Sequence, residues 1–277
     1  MHFLVLPLRC EWVARPSLEY AGMANRIRGA LGAALRQQGC PAECPGVNRC
    51  TYGRRCTYAT FFDPRWADGP SGYRDAPRPF VLRCNPEEHS VNLFLFQREP
   101  PLSELKSALT TAMLVVTGQA PVRFECAEKM CLPLSATGRD GFLRLRFGTP
   151  TDLKSAGKRL AEPIFSVMFE RLAERVRALG RRYQSWPADV DFAPLVKLAH
   201  QVGLINYEWR HSESKRRSAR SGKVHAVGGF EGWAEYAGPV GALIPLLEIG
   251  GWTGVGRQTV WGNGELRVEE YRCQPLL

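Results

Sequence analysis

Gly250-Gly251-Trp252-Thr253-Gly254-Val255-Gly256-Arg257-Gln258-Thr259-Val260-Trp261-Gly262-Asn263-Gly264 is the stretch around which the rest of the chain is read. Gly254, Gly256, Gly262 and Gly264 are arranged as G-x-G, five residues, G-x-G. Glycine reaches backbone conformations closed to other residues and admits another backbone at close range, at an entropic cost. Arg257 and Gln258 sit between the two pairs, so exposed amides and a permanent cation are expected to face a phosphate together. No Lys-Ser or Lys-Thr follows these glycines, which argues against a P-loop. The loop lies within thirty residues of the C-terminus, leaving no room for the βαβ unit of a dinucleotide fingerprint. A glycine-rich hairpin with bulges is the competing reading, and the doubled spacing favours an anion-binding loop.

Composition points the same way. The 277 residues carry 37 Lys and Arg against 27 Asp and Glu, a formal net charge of +10, which suits a polyanionic partner. The length allows one large or two ordinary domains. No apolar run reaches the roughly eighteen residues of a membrane span, and the opening MHFLVLPLRCEW reads as a strand ending in charge rather than a signal peptide. A cytoplasmic location is therefore expected. In that reducing compartment the nine cysteines are read as thiols or metal ligands, not disulfides.

Outward from the loop, the chain reads as alternating strands and helices. Phe3–Leu8 is a buried strand, and Pro16-Ser17 opens a helix expected over Leu18–Gln38, its apolar face formed by Met23, Ile27, Leu31, Ala34 and Leu35. Phe80–Arg83 and Ser90–Gln97 form a strand pair, followed by a helix over Ser103–Val116 and a strand over Val122–Glu128. That βαββαβ order describes a ferredoxin-like unit. After a break at Ser135–Gly141 a second round begins with a strand at Phe142–Phe147 and a helix over Pro163–Tyr183 burying Ile164, Val167, Met168, Leu172 and Val176. Strands at Leu204–Arg210 and Val224–Tyr236, a helix over Val240–Ile249 and a last strand starting inside the glycine loop complete it. Periodicity by itself supports the fold class α+β.

The glycine motif is entered from Pro245-Leu246-Leu247 and left through Glu265–Glu270. Three other stretches accompany it: Arg28-Gly29-Ala30-Leu31-Gly32, Leu143-Arg144-Leu145-Arg146-Phe147-Gly148-Thr149-Pro150 and Gly228-Gly229-Phe230-Glu231-Gly232. In this order they resemble the signature of the CRISPR precursor-RNA-processing endoribonucleases of the RAMP superfamily. The resemblance implies two tandem ferredoxin-like (RRM-like, βαββαβ) domains. Residues 1–138 would form the first, with an inserted four-cysteine loop (40–56). Residues 139–277 would form the second, with a basic loop (211–223) and the glycine-rich loop (250–264). It further implies an endoribonuclease that binds the repeat stem-loop of precursor CRISPR RNA and cuts at its 3′ base without metal. The cut would leave a 2′,3′-cyclic phosphate and a 5′-hydroxyl. Other CRISPR effector subunits are expected partners, and no membrane is. A non-catalytic RAMP subunit holding guide RNA in an effector complex is the alternative.

Such a cut needs a base for the ribose 2′-hydroxyl, a cation for the charged phosphorane and an acid for the 5′-oxygen. Histidines of the family lie in or just after the first helix, whereas Leu18–Asp63 contains none. His211, beside Trp209-Arg210 and the basic run, is the first candidate for general acid or base, with His225 second and Tyr52 from the first domain. Arg28 is a candidate to stabilise the phosphorane, although a guanidinium is a poor proton carrier. Candidate RNA-binding residues are Lys215, Arg216, Arg217, Arg220 and Lys223 in the basic run, read as a hairpin tip or mobile loop. Arg54, Arg55 and the loop residues Gly254, Gly256, Arg257, Gln258, Gly262 and Gly264 complete that set. Trp252 and Trp261 either stack on unpaired bases or cover the bare glycine backbone. Cys40, Cys44, Cys50 and Cys56 are candidate ligands of a structural zinc, with structural thiols and an iron–sulfur cluster as alternatives. No cofactor is expected for catalysis.

Overall fold

The computed structural model describes residues 2–13, 22–40, 44, 56–63, 76–133, 140–155, 157–160, 162–217 and 224–273. In the first half, β1 (His2–Glu11), α1 (Met23–Gly39), α2 (Thr57–Phe62), β2 (Phe80–Asn85), β3 (Ser90–Leu95), α3 (Leu102–Thr117), β4 (Arg123–Cys126) and β5 (Met130–Pro133) follow one another. Their antiparallel sheet has the order β2-β3-β1-β4, with β5 also pairing β1. The alternation of the strands places Leu6, Leu8 and Cys10 against α1 and α3, with Leu82, Leu93 and Leu95. Phe3, Val5, Val81, Phe94 and Phe96 point from the opposite face into the core of the second half. A sheet buried on both faces needs near-continuous apolar strands, which FLVLPL and SVNLFLF supply.

The second half runs β6 (Gly141–Thr151), the small hairpin β7 (Lys154–Ser155) and β8 (Lys158–Arg159), α4 (Phe165–Tyr183) and α5 (Ala193–Ala199). It closes with β9 (Gly203–Arg217), β10 (Val224–Gly238), α6 (Ile244–Thr253) and β11 (Leu266–Cys273). The sheet order β11-β6-β10-β9 repeats the arrangement of the first sheet, with the last strand in sequence again at an edge beside the first. Two ferredoxin-like domains in tandem result. Leu143, Leu145 and Phe147 of β6 face α4, which buries Met168, Phe169, Leu172 and Val176 at helical spacing.

Several expectations are corrected. The first described helix starts at Met23, because Gly22 turns the chain with φ +68° immediately before it. Ile164 precedes α4 and is exposed rather than buried. β5 went unread. The last strand begins at Leu266, after the glycine loop, while Gly250–Thr253 belong to the end of α6. His211–Arg217, expected in a loop, are strand, paired in register with Val224–Phe230. Ladder bonds join backbones and are indifferent to the polarity of the side chains between them. The expected domain boundary falls at residues 134–139, outside the described residues.

Candidate nucleic-acid interface

Past α6 the chain turns at Gly254, φ +70°, and lies along the end of β6. The Val255 amide donates to Gly264 O at 2.9 Å, Gly264 to Pro150 O at 3.1 Å, and Arg257 to Asp152 O at 3.0 Å. Gly254, Trp261 and Gly262 also donate within the loop or to the helix end. The expectation of open amides is therefore corrected at these six positions: they tie the loop to itself and to β6. Gly264 shows why glycine is needed. Its φ is +73°, and a Cβ there would lie 2.0 Å from Val255 O.

The far side of the loop crosses to the first domain. Val260 is buried in that domain's core, and Trp261 packs against it. A Cβ on Gly262 would lie 3.1 Å from Ala24 Cβ of α1 and 3.2 Å from Leu82 O of β2. Arg28 lies with its guanidinium carbon 5.2 Å from the Phe62 ring centre and 5.9 Å from that of Trp261, a cation–π arrangement. Arg83 approaches Glu265 at 3.9 Å; burial lowers the Arg83 pKa, and Glu265 opposes the shift. Trp252 meets Phe94 edge-on at 5.1 Å. Both tryptophans thus pack against the two cores, the second of their two expected roles.

On its other side the loop meets charge. Asp152, buried at the end of β6, faces Arg257 at 3.2 Å and Arg159 at 3.4 Å; Arg159 in turn reaches Glu213 at 3.3 Å. His211 sits two residues before Glu213 on β9, exposed, its ring 5.8 Å from Trp209. His225 is opposite Arg216, Ala226 opposite Lys215 and Val224 opposite Arg217 in the β9–β10 ladder. The structure thus joins Arg28 to the loop on one side and, through Asp152 and Arg159, links Arg257 to Glu213 of β9 on the other. Tyr52, Arg54, Arg55, Cys50, Arg220 and Lys223 lie outside the described residues. His200 caps α5, exposed, and His89 packs on Trp12. Asp152, Arg159, Arg83 and Phe62 escaped the sequence reading; an aspartate closing a strand was the one available signal.

Cys40 at the end of α1 hydrogen-bonds with Cys44 and Cys56, and burial first, then those thiols, push its pKa up to about 11. Among the described residues no group of three or more His, Cys, Asp or Glu is arranged to hold a metal. Nor, among them, is any helix long and apolar enough to cross a membrane.

Residues 145–266 match the family of the CRISPR-associated endoribonuclease Cas6, and residues 5–97 match a family described as an N-terminal domain. No curated protein matches the sequence. Among solved structures, a Cas6 protein in its product complex is 19% identical with TM-score 0.53, the match covering 98% of this chain and 100% of that one. Thermus thermophilus Cas6 is 13% identical with TM-score 0.55, covering 97% and 99%. A Cas6b is 10% identical with TM-score 0.50, covering 97% and 100%. At such identities the likeness is one of fold. What is shared is an architecture of two ferredoxin-like domains in tandem. The Cas6 endoribonuclease family match thus falls on the second domain, residues 145–266, and over both domains the chain is similar in fold to Cas6 structures.

Proposed function

We propose that the chain is an endoribonuclease that binds the repeat stem-loop of precursor CRISPR RNA and cleaves once at its 3′ base, releasing mature guide RNA. The observation that carries this reading is the glycine loop itself: within a segment matching an endoribonuclease family, it spans from Asp152 and Arg257 to Arg28 on α1. The 2′-hydroxyl attacks the adjacent phosphorus, the P–O5′ bond breaks, and a 2′,3′-cyclic phosphate and a 5′-hydroxyl result. His211 takes or returns the proton, His225 and Tyr52 being the substitutes, and Arg28 holds charge on the phosphorane without giving up a proton. Catalysis uses no metal. The test is a labelled repeat stem-loop in EDTA beside a copy with 2′-deoxyribose before the cut. One product from the first and none from the second is expected, and an essential requirement for magnesium refutes the mechanism.

Two observations favour a second reading. Leu18–Asp63 has no histidine, and Arg28 is engaged by two aromatic rings. Stable RNA binding with no product from either RNA would identify a subunit that holds guide RNA beside other effector subunits. Zinc at Cys40, Cys44, Cys50 and Cys56 is a separate proposal, supported by the mutual contacts of the Cys40 thiol. About one zinc per chain is expected by metal analysis, and none once all four are serine.

A further inference from the structure

Asp152 is an unusual place for a carboxylate. Its side chain is fully buried, with 0% of its surface exposed, yet it closes β6 beneath the glycine loop rather than sitting in a polar cleft. Oδ2 accepts a hydrogen bond from Arg257 at 3.2 Å. Arg159 lies 3.4 Å from Oδ1, and Oδ1 accepts no hydrogen bond among the described residues. The main-chain oxygen of Asp152 accepts from the Arg257 amide, so one residue fixes both ends of that arginine. A buried carboxylate with an unsatisfied oxygen is a poor source of stability, because desolvation offsets the attraction.

Both arginines lead outward from it. Arg257 is half exposed and Arg159 about a third. A guanidinium has five donors in a planar fork, so an edge turned to Asp152 leaves another edge for a second anion. The further partner of Arg159 is Glu213, 81% exposed, and an exposed pair of that kind is worth little and is readily exchanged. Lys154 and Lys158 flank the site on the β7–β8 hairpin.

We propose that Asp152 is a positioning residue that holds Arg159 and Arg257 as a fixed pair, and that this pair receives a phosphodiester of the RNA backbone beside the glycine loop. The assignment rests on the RNA reading above and adds two residues, Asp152 and Arg159, to it. It carries an unusual sign. Asp152→Asn adds one positive charge to an already cationic chain, so long-range attraction alone predicts tighter RNA binding. Lost positioning predicts weaker binding.

The test uses a fluorescein-labelled CRISPR repeat stem-loop, 2′-deoxy at the scissile ribose, titrated with the full chain at several salt concentrations. Asp152→Asn is expected to weaken binding about tenfold, the order of one well-formed charge-assisted contact. Arg159→Ala and Arg257→Ala should each weaken it and together reduce the salt slope by roughly 0.7–0.9 per phosphate released. In the double-alanine background, Asp152→Asn should then cost nothing more. Arg159→Lys and Arg257→Lys keep charge but lose the fork, so they test the proposal even where Asp152→Asn folds poorly; affinity should fall there too. Wild-type affinity in the Lys variants, or unchanged or tighter binding by a folded Asp152→Asn chain, overturns the proposal, and a lowered melting temperature with unchanged affinity marks a purely structural ion pair. Failure of the wild-type chain to bind the stem-loop overturns the RNA reading, and this one with it.

Discussion

Gln184, at the end of α4, substitutes for a missing piece of strand, and its replacement should loosen the two domains. The β1–β3 ladder stops at Leu6 opposite Leu95. Beyond it the Gln184 side-chain oxygen accepts from Leu4 N at 2.9 Å, and its amide nitrogen donates to Leu4 O at 2.9 Å and to Phe96 O at 3.1 Å. The residue is 4% exposed, so Gln184→Ala leaves three main-chain groups without these partners in a buried place. Each such loss costs about 1–3 kcal/mol, less where water enters the gap. A total of about 3–5 kcal/mol follows, or a fall of roughly 5–9 °C in melting temperature for a chain of this size. Calorimetry with Trp fluorescence reads it, since Trp186 packs on Phe3 across the same seam. A melting temperature within about 2 °C of wild type would refute this account of how the domains are joined.

Gly264→Ala should abolish a functional loop, since its φ of +73° and a Cβ 2.0 Å from Val255 O oppose any side chain. Gly251→Ala, whose nearest contact is an ordinary 3.4 Å, should bind RNA as wild type, and equal behaviour of the two would sink the argument. Burial pushes the Cys10 and Cys84 thiols up to about 12, so near pH 8 both should resist a thiol reagent until denaturant is added, whereas exposed Cys126 and Cys131 react at once. Burial likewise raises the Tyr183 phenol from 10.0 to about 12, with neighbouring arginines opposing the shift. Its folded pKa lies above the unfolded one, so the stability it contributes is complete below pH 10 and is lost as pH climbs toward 12. Phenolate absorbance should show one tyrosine ionising only there, and an alkaline titration finished near pH 10 in the folded chain would contradict it.

Much of this fold was legible because burial leaves a period. Met23, Ile27, Leu31, Ala34 and Leu35 recur at three and four and mark α1, and Val91–Leu95 reads as a strand by its apolar run. β5 left no such trace, being four residues with only partial burial. The basic stretch misled for the opposite reason: Ser212 and Glu213 carry no apolar signal, yet their backbones pair with Gly229 and Gly228. At the site, the G-x-G spacing announced a special backbone, but not that its amides would turn inward. Asp152 showed in the sequence only as an aspartate at a strand end, because Arg257, one of the two arginines it meets, is 105 residues away.

The sheet of the first domain, apolar on both sides, also constrains the order of events in time. While the ribosome is still making the second half, Phe3, Val5, Phe94 and Phe96 have no cover, since the surfaces they meet, Trp186 and Trp252 among them, are not yet made. The early half of the nascent chain is therefore expected to expose this apolar face until α6 and the glycine loop arrive to close the seam.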